Sequence, residues 1–287
     1  MTEDRSTVRS RQLGCALRSA MEQARLTGKG TARMLGWSES RVSRFMTGRL
    51  AATEVEVAGM AAVFGITGPE RDRLLRLARE RVKCCWSHPD HLRTVADPQY
   101  GAVRITGFDA LTVPALLQTA DYARSVFARA VTVAPDAVES LVAGRIASQD
   151  VFRRARPPQC LFFVNEAALR LPVGSRQIMS AQLHHLLSMS VRPQIAMRVI
   201  PTAAGAHAGL AGSCCLMEFA EFGPVVAIQH EAVGYFLEEP AEIAVYERIF
   251  SALTVVALGQ AESSQLIRRL AVDLFGPASR NTAGPAR

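Results

Sequence analysis

The sequence lacks any apolar run long enough to cross a membrane, because no stretch of about 18 or more consecutive apolar residues occurs in it. Residues 1–7 are polar, so we also expect no secretory signal. Four of the six cysteines form the adjacent pairs Cys84–Cys85 and Cys214–Cys215, and neighbouring cysteines rarely bridge each other. These absences predict a cytoplasmic protein with reduced cysteines and no membrane contact.

Sequence signatures of catalysis are absent as well. We find no Gly-x-Ser-x-Gly, no phosphate-binding Gly-Lys-Ser/Thr loop, no dinucleotide-binding glycine fingerprint and no His-Glu-x-x-His. Glu166 follows a strand-like run and His207 lies in a Gly/Ala loop, and a Glu–His pair can transfer protons near neutral pH. The other candidates for such chemistry are His184, His185, His230 and Glu231. Without a motif we expect no enzymatic activity and no cofactor. We interpret Glu166 and His207 as loop anchors or as the rim of an effector or partner site.

Metal ligands are equally scarce. The sequence contains one Cys/His cluster, formed by Cys84, Cys85, His88 and His91. Directly adjacent cysteines are awkward for closing a tetrahedral zinc site, so we expect no metal. Residues 83–100, in which Pro89 and Pro98 interrupt any helical period, are interpreted as a linker.

Positive charge is concentrated in the first third of the chain. Residues 1–82 carry 15 lysines and arginines against 9 aspartates and glutamates, whereas residues 83–287 carry 18 against 17. A local positive field of this kind attracts phosphates and releases counterions from DNA. A basic helix that lies on a membrane needs an aromatic, apolar face, which this region lacks.

Residues 26–48 have the pattern of two short helices joined by a tight turn. Gly36 suits a turn residue with positive φ, and Ser38 is a good N-cap for the second helix. Val42 and Phe45 share one face of that helix, which predicts their burial. The residues expected on the opposite, outer face are Ser40, Arg41 and Arg44. The pattern predicts a helix-turn-helix that presents side chains to the major groove, and a helical hairpin with a solvated basic face is the alternative.

Short motifs along residues 11–49 recur in one class of DNA-binding domain. They are Arg11-Gln12-Leu13-Gly14, Leu26-Thr27, Ala32-Arg33-Met34-Leu35-Gly36-Trp37-Ser38, Val42-Ser43-Arg44 and Gly48-Arg49. They resemble the lambda-repressor-like, xenobiotic-response-element (XRE) class of helix-turn-helix domains, whose third helix reads bases with its N-terminal half. The resemblance implies that double-stranded DNA is bound by Lys29, Arg33, Glu39, Ser40, Arg41, Arg44, Thr47 and Arg49. In a homodimer, two such helices lie about one DNA turn apart.

Two departures from that class leave an alternative open. Gly28-Lys29-Gly30 stands where glutamine and acidic residues usually begin the second helix, and Met46-Thr47 replaces the usual Glu-Asn. Each glycine inside a helix costs about 1 kcal/mol relative to alanine. The alternative is an antitoxin-like protein–protein interaction module with a degenerate helix-turn-helix.

The patterns divide the chain into four parts. We assign a helix-turn-helix domain to 1–82, the linker to 83–100, a regulatory or partner-binding domain to 101–275 and a flexible tail to 276–287. The first domain has five helical patterns and no strand pattern, so we predict that it is all-α. The second combines helices with strand-like runs, which predicts an α+β (or α/β) domain with a small mixed sheet. The strand-like runs are 103–108, 160–164, 195–200, 214–219 and 225–229.

One long helix is predicted for residues 243–258. Its apolar spacing predicts a buried face. That face comprises Val245, Ile249, Ala252 and Val256.

Motifs along the second domain also recur in a known group of proteins. They are Val113-Pro114-Ala115-Leu116-Leu117-Gln118-Thr119, Asp121-Tyr122-Ala123, Asn165-Glu166-Ala167-Ala168-Leu169, Gln182-Leu183 and Ala204-Gly205-Ala206-His207-Ala208-Gly209. In this order they resemble the regulatory domain of actinobacterial WhiJ-type transcriptional regulators. The resemblance implies transcription regulation, association with the nucleoid when the protein is on DNA, and a small protein partner or small-molecule effector. The residues predicted to form the effector or partner site are Gln118, Tyr122, Glu166 and His207.

Overall fold

The structure is a computed structural model that describes residues 7–79, 85–87, 99, 101–230 and 233–275. Several predictions fall outside these residues. They concern Cys84, His88, His91, Glu231 and the tail at 276–287.

The described part of the first domain is entirely helical, as predicted. Its helices are α1 (Val8–Gln23), α2 (Gly28–Leu35), α3 (Glu39–Met46), α4 (Glu54–Val63) and α5 (Gly68–Arg79). Hydroxyl side chains cap the first four, because a threonine or serine oxygen accepts a hydrogen bond from an amide of the first turn. The apolar faces of the helices meet in one core, which includes Leu17, Val42, Phe45 and Met60.

The second domain is α+β and contains most of a seven-stranded mixed sheet. Its helices are α6 (Ala120–Phe127), α7 (Val138–Ser148), α8 (Glu166–Arg170), α9 (Arg176–Ser190), α10 (Pro240–Val256) and α11 (Gln260–Asp273). The strands are β1 (Cys85–Ser87), β2 (Arg104–Asp109), β3 (Gln159–Asn165), β4 (Ile195–Ile200), β5 (Cys214–Glu218), β6 (Val225–Gln229) and β7 (Val233–Leu237). Their order is β1-β7-β6-β5-β2-β3-β4. β2, β3 and β4 are parallel, and the other pairs are antiparallel.

Alternate residues of the strands face two separate cores. Ile105, Val164 and Val199 face a layer that contains α9 and α11. Phe108 and Phe163 face α10 on the other side of the sheet. Asp109, Asn165 and Ile200 therefore end the three parallel strands at one common edge, the carboxyl edge of the sheet.

The sheet is larger than the sequence indicates. All five predicted strands are present, but β7 and the short edge strand β1 were not predicted. Gly234 interrupts the apolar pattern of β7, and its antiparallel pairing with β6 supplies the hydrogen bonds that local propensity does not reveal. β1 lies within the predicted linker and pairs with β7, so the connector adds a strand to the sheet.

The predicted buried face of α10 is correct for two of its four residues. Ile249 and Val256 are half-buried and pack against the core, whereas Val245 is 42% exposed and Ala252 is exposed. The most buried residues of the helix are Ile243, Phe250 and Leu253. Apolar residues lie on both sides of Ile249 at helical spacing, so periodicity does not fix the centre of the face, which contact with β5 and β6 places at Phe250.

The first helix joins the two domains. Val8 opens α1, is 2% exposed, and belongs to the core of the second domain. Its amide donates to Glu238 Oε1 at 2.9 Å, and Arg11 forms an ion pair with the same carboxylate at 3.4 Å. The Arg11 guanidinium also lies 3.7 Å from the ring centroid of Phe222. Helix α1 thus contributes side chains to the cores of both domains: Val8 to the second, and Leu13 and Leu17 to the first.

Candidate nucleic-acid interface

Helices α2 and α3 form the predicted helix-turn-helix. Gly36 ends α2 with φ +68°, a conformation that a side chain would disfavour. Ser38 begins α3, because its hydroxyl oxygen accepts from the Arg41 amide at 3.2 Å. Val42 and Phe45 are buried, as predicted, and hold α3 against the domain core. The local sequence therefore fixes both the turn and the orientation of α3.

Helix α1 holds the carboxyl end of α3 from behind. Ser10 Oγ donates to the Gly48 carbonyl at 2.7 Å, and Arg18 Nη2 donates to the Met46 carbonyl at 2.6 Å. Between them lies Gly14, where an added Cβ would stand 2.5 Å from the Phe45 carbonyl oxygen. Ser10 and Arg18 thus donate to carbonyls that the end of a helix leaves unpaired, and Gly14 between them allows the two helices to approach closely. The position of α3 thus depends directly on α1.

The outer face of α3 lines an open groove of about 690 Å³ beside the start of α2. The groove brings together four of the predicted DNA-binding residues. They are Lys29, Glu39, Ser40 and Thr47, all of which are exposed. Ser43 lies in the same row and was not predicted, although its position four residues after Glu39 and four before Thr47 was a usable signal.

Arg41 lies outside this groove. Its guanidinium contacts the Glu56 carboxylate and lies 5.1 Å from the ring centroid of Trp37. Burial opposes ionisation of Glu56, but hydrogen bonds from Thr53 and from Arg41 outweigh it and lower the pKa of Glu56. Arg41 is exposed, as expected, but it is paired with Glu56 beside the groove, and its contact with DNA stays a prediction.

The other predicted arginines lie outside the groove. Arg33 and Arg49 are exposed, and Arg44 is half-buried on the side of α3 next to Ser40. Gly28 and Gly30 both lie in the first turn of α2, where Thr27 accepts a hydrogen bond from the Gly30 amide. Helix two therefore forms despite its two glycines.

The predicted effector residues Gln118 and Tyr122 are buried in a hydrogen-bond network. Gln118 Nε2 donates to the Val113 carbonyl at 2.8 Å, and the Val113 amide donates to the Tyr122 hydroxyl at 3.1 Å. Gln182 completes the network, since its side-chain oxygen accepts from the Thr119 amide and its nitrogen donates to the Leu117 carbonyl. These side chains hold residues 113–119, the segment that follows β2, in place.

Glu166 and His207 lie at the carboxyl edge of the sheet and anchor loops. Glu166 Oε2 accepts from the Thr202 amide at 2.8 Å, and its other oxygen pairs with Arg170 at 2.6 Å. Burial alone would raise the pKa of Glu166, but these two partners lower it. His207 Nδ1 accepts from the Gly209 amide at 3.1 Å, and its Nε2 lies 3.3 Å from Asn165 Nδ2. The structure therefore fits loop anchoring, and an effector role stays a prediction.

Asp109 and Arg145 interact electrostatically near the same edge, which the sequence did not reveal. Burial raises the pKa of Asp109 to about 7, although the positive charge of Arg145 opposes the shift. Burial likewise lowers the pKa of Arg145 to about 10, against the attraction of Asp109. Arg145 Nη1 donates to Gln118 Oε1 at 3.0 Å, so this pair adjoins the network of Gln118 and Tyr122. The only sequence signal for this interaction was the acidic Asp109 at the end of an alternating strand.

Family models match both halves of the chain. Residues 12–74 match a model described as a helix-turn-helix domain, and residues 92–269 match one described as a domain of unknown function (DUF5753). The second match spans more than half of the chain. The protein belongs to the DUF5753 family. Comparison with curated proteins and with solved structures gave no match.

The matched models support the two-part organisation that the motifs indicated. A helix-turn-helix domain precedes the DUF5753 domain, and the first of these suggests DNA binding. Within the described residues, no cluster of three or more His, Cys, Asp or Glu side chains is arranged to hold a metal ion. Over the same ranges, no helix is long and apolar enough to cross a membrane.

The raised pKa of Asp109 predicts a pH-dependent stability of the DUF5753 domain. The carboxyl has a pKa of about 7 in the folded state, against an ordinary value of 3.8, so between these values the folded state binds more protons than the unfolded state. Stability therefore falls as the pH rises through this window. From about pH 5.5 to about pH 8, Asp109 should lower the free energy of unfolding by about 2 kcal/mol.

Asp109→Asn removes this titration, so the variant should gain stability relative to the wild type as the pH rises. Thermal unfolding at the two pH values measures the difference. Asp136→Asn, at an exposed position, is the matched control and should follow the wild type. Parallel pH profiles for the wild type and Asp109→Asn would contradict the assignment.

Proposed function

We propose that this DUF5753-family protein is a sequence-specific DNA-binding transcriptional regulator with a C-terminal domain that binds a signal or a partner. The observation that carries the proposal is the exposed row of polar side chains on α3, held from behind by α1. The excess of basic residues in the first third of the chain supports contact with phosphates. A capped helix with one buried and one polar face is the form in which helix-turn-helix proteins enter the major groove.

We assign roles to the outer residues by their positions. Glu39 and Ser40 face base edges from the first half of α3, and Ser43 does so one turn after Glu39. Arg44 adds a guanidinium that can form two hydrogen bonds to a guanine. Phosphate contacts are assigned to a separate set. That set comprises Lys29, Arg33, Thr47 and Arg49. As a homodimer, the protein places two α3 helices in successive major grooves.

We further propose that the DUF5753 domain acts by binding rather than by catalysis. Glu166 is held by Arg170 and by the Thr202 amide, and both partners favour its ionised form. A carboxylate in this state is a poor general base at neutral pH, since its pKa lies well below the operating pH. The succession of motifs supports a WhiJ-type regulator that works with a small protein partner or a small-molecule effector.

Replacing Arg44 with alanine tests the assigned reading face. A gel shift of the full chain on the DNA upstream of its own gene should show specific binding that Arg44→Ala weakens by about 10-fold to 100-fold, which corresponds to about 1–3 kcal/mol. Arg76→Ala is the matched control, because it removes the same charge from an exposed position on α5. It should weaken binding much less than Arg44→Ala.

Equal effects of the two variants would overturn the role of Arg44. If the wild type retains no DNA at all but captures a small protein, the antitoxin-like module is the better account. In that case the helix-turn-helix keeps its fold without its DNA-binding activity.

A further inference from the structure

The outer side of α10 carries a row of exposed apolar residues. A helix that covers one face of a sheet is usually polar on the side turned away from the sheet. On α10, four apolar residues instead recur there at helical spacing. They are Ala241, Val245, Ala252 and Val255, all of which are exposed, and Val255 is 84% exposed. Together with Arg248 they form one row with the four-and-three spacing of a heptad, which we call the outer stripe.

The outer stripe lies opposite the buried side of the same helix. Phe250 and Leu253 pack against the sheet, and the centre of the stripe is about half a helical turn away from Phe250. Helix α10 is therefore apolar on two opposite sides, only one of which the sheet covers. Apolar rows of this kind on a surface mark sites of protein–protein contact.

The spacing of the outer stripe identifies a second copy of α10 as its occupant. Residue 248 is the midpoint of α10, and Ala241 and Val255 stand seven positions before it and after it. When two copies pack antiparallel about a two-fold axis at this midpoint, Ala241 of one copy lies opposite Val255 of the other. Val245 and Ala252 meet in the same way. Each contact pairs a small side chain with a larger one, so the two helices can approach closely.

The charges of α10 have the same symmetry. Glu247 and Arg248 are exposed neighbours at the midpoint, and within the described ranges neither side chain forms an ion pair. The same two-fold axis places Glu247 of each copy beside Arg248 of the other, so two attractive pairs form. Parallel packing in register would instead bring like charges together. The stripe is thus complementary to itself, in size and in charge, in the antiparallel arrangement.

We propose that α10 forms the two-fold contact of a homodimer, in which its outer stripe packs antiparallel against that of a second copy. The contact does not depend on DNA. It deepens the proposed function, on which only its role in placing two α3 helices on one DNA site rests.

Charge reversal at the midpoint tests this contact in the full chain. Glu247→Arg gives every chain two adjacent arginines, and Arg248→Glu gives every chain two adjacent glutamates. For each variant alone, the Kd of dimerisation in analytical ultracentrifugation should rise at least about tenfold, because two attractive pairs become repulsive. An equal mixture of the two variants should form heterodimers with about the wild-type Kd, because every arginine then lies beside a glutamate.

A charge within the apolar part of the stripe should have a larger effect. Val255→Glu should raise the Kd of dimerisation at least about 100-fold, because the contact would bury an unpaired carboxylate. Val191→Glu is the matched control, since Val191 follows α9, is 81% exposed and lies outside the stripe. It should leave the Kd unchanged. Circular dichroism of each variant distinguishes loss of the contact from loss of the fold.

A wild-type chain that stays monomeric would overturn the contact. Unchanged dimerisation of both charge-reversal variants, or failure of their mixture to restore it, would do so as well. If the wild type dimerises through α10 but binds no DNA, the proposed function fails while the contact stands. If the contact is overturned and the chain still binds DNA specifically, the proposed function stands and α10 has no part in it.

Discussion

Gly48→Ala is expected to destabilise the helix-turn-helix domain by about 3–5 kcal/mol. Gly48 has φ +67°, and an added Cβ would stand 2.6 Å from the Cα of Arg11 and 2.7 Å from the carbonyl carbon of Ser10. Both neighbours are backbone atoms of α1, so no side-chain rotation relieves the clash. Either α1 moves away from α3 or the turn after α3 is lost. In both cases we expect DNA binding to fall together with stability.

Gly36→Ala is the matched control for this prediction. Gly36 has almost the same backbone conformation, with φ +68°, but an added Cβ would meet nothing within 4 Å. Its substitution therefore introduces only the left-handed strain of about 1–2 kcal/mol. Urea unfolding followed by circular dichroism compares the two variants. Equal losses of stability would show that the contact between α1 and Gly48 does not exist in solution.

Gln182→Leu should destabilise the DUF5753 domain by about 3 kcal/mol. Gln182 is fully buried on α9, and both of its polar atoms bond to backbone groups, the Thr119 amide and the Leu117 carbonyl, each at 2.7 Å. Leucine has a similar size but leaves the buried Leu117 carbonyl and the partly buried Thr119 amide without that partner. An unpaired buried group costs about 1–3 kcal/mol. Urea unfolding measures the total loss of stability from the two unpaired groups as a change in the free energy of unfolding.

Gln177→Leu makes the same chemical change at an exposed position of the same helix. It should alter stability by less than about 0.5 kcal/mol, as is usual for surface substitutions. If Gln182→Leu is as stable as Gln177→Leu, the network does not hold residues 113–119. A hydrogen-exchange measurement would then show no faster exchange of the Thr119 amide in Gln182→Leu.

The local features of the first domain were predictable because neighbouring residues determine them. The turn at Gly36, the cap at Ser38 and the burial of Val42 each follow from the sequence within one or two helical turns. The ion pair of Arg41 was not predictable, because its partner, Glu56, lies on a different helix, α4. A helical wheel of α3 contains no information about α4.

In the second domain, too, the features that depend on residues far apart in the chain were not predictable from local sequence. Apolar runs such as β3 were recognisable as strands, whereas β7 depends on pairing with β6, and the buried stripe of α10 depends on which strands it covers. Asp109 and Arg145 are 36 positions apart in the chain, so their interaction was not visible in either local pattern. The contact of Val8 on α1 with Glu238 joins residues 230 positions apart, so no local pattern could reveal it.

Selection of DNA from a random library by the full chain would show whether the protein binds DNA in a sequence-specific way. We expect enrichment of one sequence motif with two related half-sites about one helical turn apart, because a homodimer places two α3 helices in successive major grooves. Ser43→Ala and Arg44→Ala should each relax the enriched motif at defined positions. Recovery of DNA with no enriched sequence, or of no DNA at all, would show that the protein is not a sequence-specific DNA-binding regulator.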